Sequence, residues 1–79
     1  MKNIYVEIHG IVDMTNFVKA ANNVYGDVTC RKGKYVVDAK SIMGVMSIDI
    51  STGVTVEYPE DAVDFENFIK EFTVLKTKE

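Results

Sequence analysis

Very few side chains in this 79-residue sequence have the chemistry of a catalyst. His9 is its one histidine and Cys30 its one cysteine. No motif around His9 combines a nucleophile, a base and a group that would orient the base. Cys30 alternates with polar neighbours, which is typical of an apolar, core-facing strand residue rather than of a reactive thiol. The sequence therefore predicts a binding or carrier protein and not an enzyme.

Metal and cofactor sites have equally little support. One cysteine and one histidine are too few for a zinc site of the usual kind. Asp61 and Asp64 fall at a predicted helix start, and the positive end of the helix dipole explains them better than a cation-binding loop does. Neither a P-loop nor a Gly-x-Gly-x-x-Gly motif occurs. The sequence thus predicts no metal and no cofactor.

The most informative segment is Lys40-Ser41-Ile42-Met43-Gly44-Val45-Met46-Ser47. Ser41 is a typical N-cap for a short helix. A helix of this length cannot bury all of its large apolar residues on one side, so some of them must be exposed. Methionine-rich exposed surface is typical of protein docking sites. The alternative is that two of these residues face the core and the others form a patch without a partner. The candidate docking residues are Ile42, Met43 and Met46.

Composition and charge exclude several classes of protein. The sequence is 47% apolar and 27% charged, which is typical of one globular domain spanning residues 1–79. Its net charge of −3 argues against general nucleic-acid binding. The N-terminus alternates like a strand and no apolar run is long enough for a bilayer, so neither a signal peptide nor a membrane span is predicted. A single cysteine favours a reducing compartment, and we expect a cytoplasmic protein.

Hydrophobic periodicity predicts seven elements. Strands are predicted at residues 2–8 and 53–58, and a hairpin at 27–39 turns at Lys32-Gly33. Helices are predicted at 13–25, 41–47 and 61–74; Asp13 caps the first helix, Asp61 caps the last and Gly26 stops the first. Residues 76–79 are expected to fray. Because the strands alternate with one apolar face, we expect an open sheet with helices on one side.

The segment around Ser41 resembles the second helix of HPr, the phosphocarrier of the bacterial sugar phosphotransferase system. The element order also matches HPr, and so does the turn Gly33-Lys34. The similarity is strong from Lys19 to Ile50, with Ala21, Asp27-Val28 and Val37 in register; it is weaker in the first strand, and in the last helix it is one of pattern. The resemblance implies an α/β (α+β) fold, an HPr-like open-faced βαββαβα sandwich with a four-stranded antiparallel sheet and three helices on one face.

The sequence departs from HPr at the start of the first helix. HPr carries its phosphate there on a histidine, within Gly-Ile-His-Ala-Arg-Pro-Ala. This sequence reads Glu7-Ile8-His9-Gly10-Ile11-Val12-Asp13-Met14, with no arginine or proline after the histidine. Counting back from the helix places Gly10 at the histidine position, and counting forward from the strand places Asp13 there. His9 is therefore either the solvated end of the first strand or a displaced phospho-acceptor.

Ser41 corresponds in this resemblance to the serine that HPr kinase phosphorylates in low-GC Gram-positive bacteria. A phosphate at a helix N-terminus meets free N–H groups and the favourable end of the dipole, and Lys40 would add a cation. The other interpretation is that Ser41 only caps the helix. The resemblance thus implies a candidate regulatory phosphosite.

Three hypotheses follow. The first is a regulatory, Crh-like member of the HPr family that docks through the second helix; its partners would be a phosphotransferase-system enzyme, HPr kinase or a transcription regulator. The second is a working phosphocarrier that uses His9. The third is a ligand-sensing βαββαβ domain. Tyr5, Tyr35 and Val36, near a sheet edge, leave open whether the chain is a monomer or a weak dimer.

Overall fold

The computed structural model describes residues 1–73 and confirms the expected fold class. It contains a four-stranded antiparallel sheet in the order β1-β4-β2-β3 and three α-helices. The strands are β1 (Lys2–Val6), β2 (Thr29–Lys32), β3 (Tyr35–Asp38) and β4 (Val54–Tyr58). The helices are α1 (Ile11–Asn22), α2 (Ile42–Ser47) and α3 (Val63–Ile69), and short 3-10 turns span Ile50–Thr52 and Lys70–Phe72. The predicted helix position 74 and the tail at 76–79 lie outside the described residues.

The central strand β4 shows why one face of the sheet is buried. Val56 pairs with Ile4 of β1 on one side and with Cys30 of β2 on the other. Residues opposite each other in antiparallel strands share a face, so these three side chains point toward the helices. Val56 and Cys30 are fully buried, as the alternation predicted. Burial raises the pKa of the Cys30 thiol to about 12, and the charge of Asp38 adds to the shift, so the thiol stays neutral.

Aromatic rings join the sheet to two of the helices. Phe17 of α1 lies 6.0 Å from Phe65 of α3, measured between ring centroids. Phe65 in turn meets Tyr58 of β4 edge-on, with 5.7 Å between centroids. Val18 and Ala21 complete the buried stripe of α1, as the helical spacing predicted. These contacts fix α1 and α3 on the same face of the sheet.

The first helix begins earlier than predicted, so the assignment of Asp13 as its N-cap is wrong. Helix α1 starts at Ile11, and Gly10 occupies the N-cap position with a φ of 85°. Glycine reaches this conformation without steric cost, and its carbonyl accepts the first helical hydrogen bond from the N–H of Met14. Asp13 lies instead in the first turn, where its charge still favours the helix dipole.

Other predicted boundaries are also wrong, for local reasons. Strand β1 ends at Val6 because the Glu7 and Ile8 N–H groups donate to Phe72 and Ile50. Helix α1 ends at Asn22, before the predicted residue 25. Helix α3 begins at Val63 and not at residue 61, and no side chain caps it. Asp61 therefore belongs to the preceding turn, while Asp64 lies in the first helical turn.

A three-residue polar link ties the edge of the sheet to α3. The Lys2 ammonium lies 3.0 Å from the Glu66 carboxylate, and the Tyr58 hydroxyl donates to the same carboxylate at 2.9 Å. The hydrogen bond from Lys2, and then that from Tyr58, lowers the pKa of Glu66. Burial, together with Glu66, raises the pKa of Tyr58 to about 12. The ionised form of Glu66 is therefore the one that stabilises the fold.

This link predicts an acid-dependent loss of stability. Because the pKa of Glu66 is lower in the folded chain, its contribution is complete above the unfolded-state pKa and is lost as the pH falls through the folded-state pKa. We expect Glu66→Gln to lower the melting temperature at pH 7 and to have a smaller effect at about pH 3. Thermal unfolding of both proteins at the two pH values measures this. An equal effect at both would contradict it.

Candidate docking and phosphorylation site

Ser41 caps α2, as the sequence predicted. Its hydroxyl oxygen accepts a hydrogen bond from the Gly44 N–H at 3.2 Å, and its side chain is exposed. The backbone holds it from both sides: its N–H donates to the Asp38 carbonyl at 3.1 Å, and its carbonyl accepts from the Val45 N–H at 3.0 Å. The hydroxyl is thus held at the helix end and remains open to solvent.

Lys40 makes a different contact from the one expected. Its ammonium donates to the carbonyl of Val24 at 2.9 Å, beyond the end of α1. Its own carbonyl accepts from the Asn22 side chain at 3.0 Å. Lys40 therefore ties the start of α2 to the end of α1, and its charge is engaged there rather than by the Ser41 hydroxyl.

The apolar residues of α2 are partly buried and partly exposed, as expected for so short a helix. Val45 alone is fully buried, whereas Met43 is 79% exposed and Met46 59% exposed; Ile42 is also exposed. Gly44 faces β3, where an added Cβ would lie 3.4 Å from both the Asp38 carbonyl oxygen and the Val37 Cβ. A Cβ at this position would already be in van der Waals contact with β3, so α2 packs closely against that strand here. Gly44 and Val45 thus pack α2 against the rest of the protein, and the candidate docking residues point to solvent.

A groove of about 430 Å³ lies between the start of α1 and the end of α2. Its lining includes Ile11, Met14, Met46 and Ile50. Ile11 and the neighbouring Val12 are exposed, although the sequence pattern indicated neither as part of a surface. The signal was the glycine before them: with Gly10 as the helix start, both fall in the first turn of α1. The apolar surface therefore extends from α2 onto α1.

His9 lies two residues before the first helical residue of α1, with its side chain in solvent. Its Nε2 is 3.6 Å from a Glu7 carboxylate oxygen. Nearby Asp49 accepts hydrogen bonds from the Ser51 hydroxyl at 2.6 Å and the Ser51 N–H at 3.2 Å. The Ser51 hydroxyl lowers the pKa of Asp49, and the charges of Lys32 and His9 add to the shift. His9 is thus close to the helix start but among carboxylates.

The charges around His9 suit a phosphate poorly. The only arginine of the sequence, Arg31, lies on the open face of the sheet and pairs with Glu57 at 3.1 Å. Asp13 places a negative charge in the first turn of α1. A phosphate on His9 would lie near the N-terminus of α1, but the Glu7 carboxylate already lies beside the imidazole.

Two further findings concern residues 1–73. No group of three or more histidine, cysteine, aspartate or glutamate side chains in this part of the chain is placed to hold a metal ion. Over the same residues, no helix combines the length and the apolar character needed to cross a membrane.

Comparison with known proteins identifies the family. The model for the phosphotransferase-system HPr component phosphorylation site matches residues 14–75. The crystal structure of HPr-C-His from Thermoanaerobacter tengcongensis superposes with a TM-score of 0.73 and 26% identity, covering 90% of this chain and 93% of that chain. Phosphocarrier protein HPr from Bacillus anthracis str. Ames gives a TM-score of 0.66 and 29% identity, covering 92% and 94%. No curated protein matches the sequence.

The chain belongs to the HPr family of the phosphotransferase system. Members of this family are phosphocarrier proteins that interact with other proteins of that system, and they are not enzymes. Family membership thus confirms the prediction of a non-enzymatic protein and favours the HPr assignment over the ligand-sensing alternative. The matched range begins at residue 14, after the segment that contains His9 and Gly10.

The cap geometry predicts the effect of substitutions at Ser41 on stability. Ser41→Ala removes the acceptor for the Gly44 N–H and should lower the free energy of unfolding by about 1 kcal/mol. Ser41→Asn keeps a capping oxygen and should stay within roughly 0.5 kcal/mol of the wild type. Urea unfolding of the three proteins measures both values. Equal stability of all three would show that the cap contributes little.

Proposed function

We propose that this chain is a regulatory HPr-family protein, one domain over residues 1–79, that acts in the cytoplasm through protein docking rather than through histidine phosphotransfer. The observation that carries the proposal is the contrast between two neighbouring helix starts. At α2, an exposed Ser41 hydroxyl adjoins exposed Ile42, Met43 and Met46. At α1, Gly10 occupies the N-cap position. This contrast supports the proposal: α2 keeps its exposed serine and apolar residues, whereas no arginine or proline follows His9 at the start of α1.

Phosphorylation of Ser41 would change the docking surface directly. The Ser41 oxygen already accepts from the Gly44 N–H at 3.2 Å, so a phosphate oxygen can take over a bond that exists. The modification adds a charge of roughly −1.5 to −2 at neutral pH beside the apolar residues of α2. A partner that binds both the phosphate and the apolar residues of α2 would need a cationic side chain next to an apolar pocket. From the resemblance to HPr, we propose HPr kinase as the enzyme that adds the phosphate. A transcription regulator or a phosphotransferase-system enzyme would then bind the phosphorylated surface.

A working phosphocarrier that uses His9 is the second candidate. One observation favours it: His9 is exposed and lies two residues before the N-terminus of α1. The surrounding carboxylates and the remote Arg31 weigh against it. The two candidates predict phosphate on different residues from different donors, and the experiment below separates them.

Phosphosite mapping by mass spectrometry tests the regulatory proposal. The protein is incubated with HPr kinase and ATP, and separately with enzyme I and phosphoenolpyruvate. We expect phosphate on Ser41 in the first reaction and none on His9 in the second. Ser41→Asn is the matched control, because it keeps the cap but removes the hydroxyl.

Labelling by phosphoenolpyruvate that is lost in His9→Ala would establish the carrier function instead. An unlabelled Ser41 in a protein that HPr kinase binds would leave this residue a helix cap alone.

A binding experiment tests the docking surface. Met43→Asp and Met46→Asp each place a charge where an apolar partner would pack, and we expect each to weaken binding to HPr kinase at least about tenfold. Val63→Asp is the matched control, because Val63 is an exposed apolar residue on α3. Isothermal titration calorimetry measures the affinities. Equal effects at all three positions would contradict a docking role for α2.

A further inference from the structure

The edge strand β3 exposes apolar side chains that the function proposed above does not use. Strand β3 pairs with β2 on one side and forms one edge of the sheet on the other. Tyr35 is 70% exposed and Val36 is 58% exposed, although both are large apolar residues. The opposite edge of the sheet, strand β1, is partly covered, because Val6 forms an antiparallel bridge with Thr73. Among residues 1–73, no strand pairs with the outer side of β3. An apolar edge of this kind is a ready template for another strand.

The hydrogen-bond pattern of β3 shows which groups this edge offers. Lys32 and Tyr35 flank the two-residue turn, and beyond the strand the Ala39 N–H donates to the Val28 carbonyl at 2.9 Å. Hydrogen-bonded pairs alternate along an antiparallel ladder, so the odd-numbered residues of β3 bond to β2. Val36 therefore directs its N–H and its carbonyl to the open edge. The Asp38 carbonyl points the same way and accepts from the Ser41 N–H.

We propose that this edge pairs with β3 of a second copy of the chain, antiparallel and centred on Val36. In this register Val36 lies opposite Val36 of the second copy, and each donates its N–H to the other's carbonyl. A two-fold axis through this pair makes the interface isologous. Two four-stranded sheets then join into one continuous sheet.

Charge complementarity supports this register. The sequence Lys34-Tyr35-Val36-Val37-Asp38 is self-complementary when reversed. Tyr35 lies opposite Val37 of the second copy, and Lys34, the turn residue just before β3, lies opposite Asp38 at both ends of the pair. Lys34 and Asp38 are both exposed. One oxygen of the Asp38 carboxylate accepts a hydrogen bond from the Lys40 N–H at 2.9 Å, and the other can face the lysine of the second copy. Moving the centre by one residue places Val36 opposite a charged side chain, either Lys34 or Asp38.

The face on which Tyr35 meets Val37 is also apolar. A groove of about 560 Å³ lies beside β3 on the helix side, lined in part by Tyr35, Val37 and Ile48. In the proposed register, Tyr35 and Val37 of the second copy would cover the opening of this groove. The strand is four residues long, so the contact is small. We therefore expect a weak, concentration-dependent dimer with a dissociation constant on the order of 10⁻⁴ M.

Sedimentation equilibrium between about 10 µM and about 1 mM tests the dimer and its charges. Lys34→Asp places like charges opposite each other and should weaken association at least about fivefold. The exchange Lys34→Asp with Asp38→Lys restores opposite charges and should recover it. Lys70→Asp makes the same change of net charge on an exposed residue far along the chain, and should have no effect. A monomer at every concentration would overturn the proposal.

Cysteine cross-linking tests the register without depending on the Asp38 substitution. Val36→Cys should form a disulfide-linked dimer under mild oxidation, because the two residues face each other across the axis. The native Cys30 is fully buried and does not compete. Asn3→Cys on the exposed side of β1 is the control for the other edge. Cross-linking of Asn3→Cys as fast as that of Val36→Cys would overturn the proposed pairing.

Discussion

Burial of a single face of the sheet is the constraint on which the rest of this structure depends. The rings of Phe17, Phe65 and Tyr58 join α1, α3 and β4 into one packed layer. Every other helix and strand must then place its apolar residues against this layer or leave them in solvent. Helix α2 is too short to do the first completely, and only Val45 reaches the core. The exposed methionines are a direct consequence.

The periodic parts of the sequence were predictable because one repeating physical rule determines them. Alternation placed Cys30 and Val56 in the core, and helical spacing placed Phe17 and Ala21 there. The ends of the elements were not predictable in this way. Gly10 starts α1 through its backbone conformation, and β1 ends where Glu7 and Ile8 bond to distant carbonyls. Such partners become visible only when the chain has folded.

The candidate site also combines features that local sequence predicts with features that depend on tertiary packing. Ser41 and the exposed residues of α2 were identified from sequence because capping and helix length are local properties. The contribution of Ile11 required the true start of α1, and the engagement of Lys40 with Val24 required the packing of two helices. The result is a surface in which a capped hydroxyl and flexible apolar side chains lie together, next to a histidine among carboxylates. We propose that such a surface serves protein recognition rather than phosphoryl transfer.

The contrast between the sulfur atoms has a consequence for chemical stability. Cys30 is fully buried and its thiol has a pKa of about 12, so almost no thiolate exists at neutral pH. The thioethers of Met43 and Met46 lie open to solvent. An oxidant therefore reaches the methionines first and converts them to polar, chiral sulfoxides. Oxidative damage would leave the core and the fold intact while making the proposed recognition surface polar, and methionine sulfoxide reductases would reverse it.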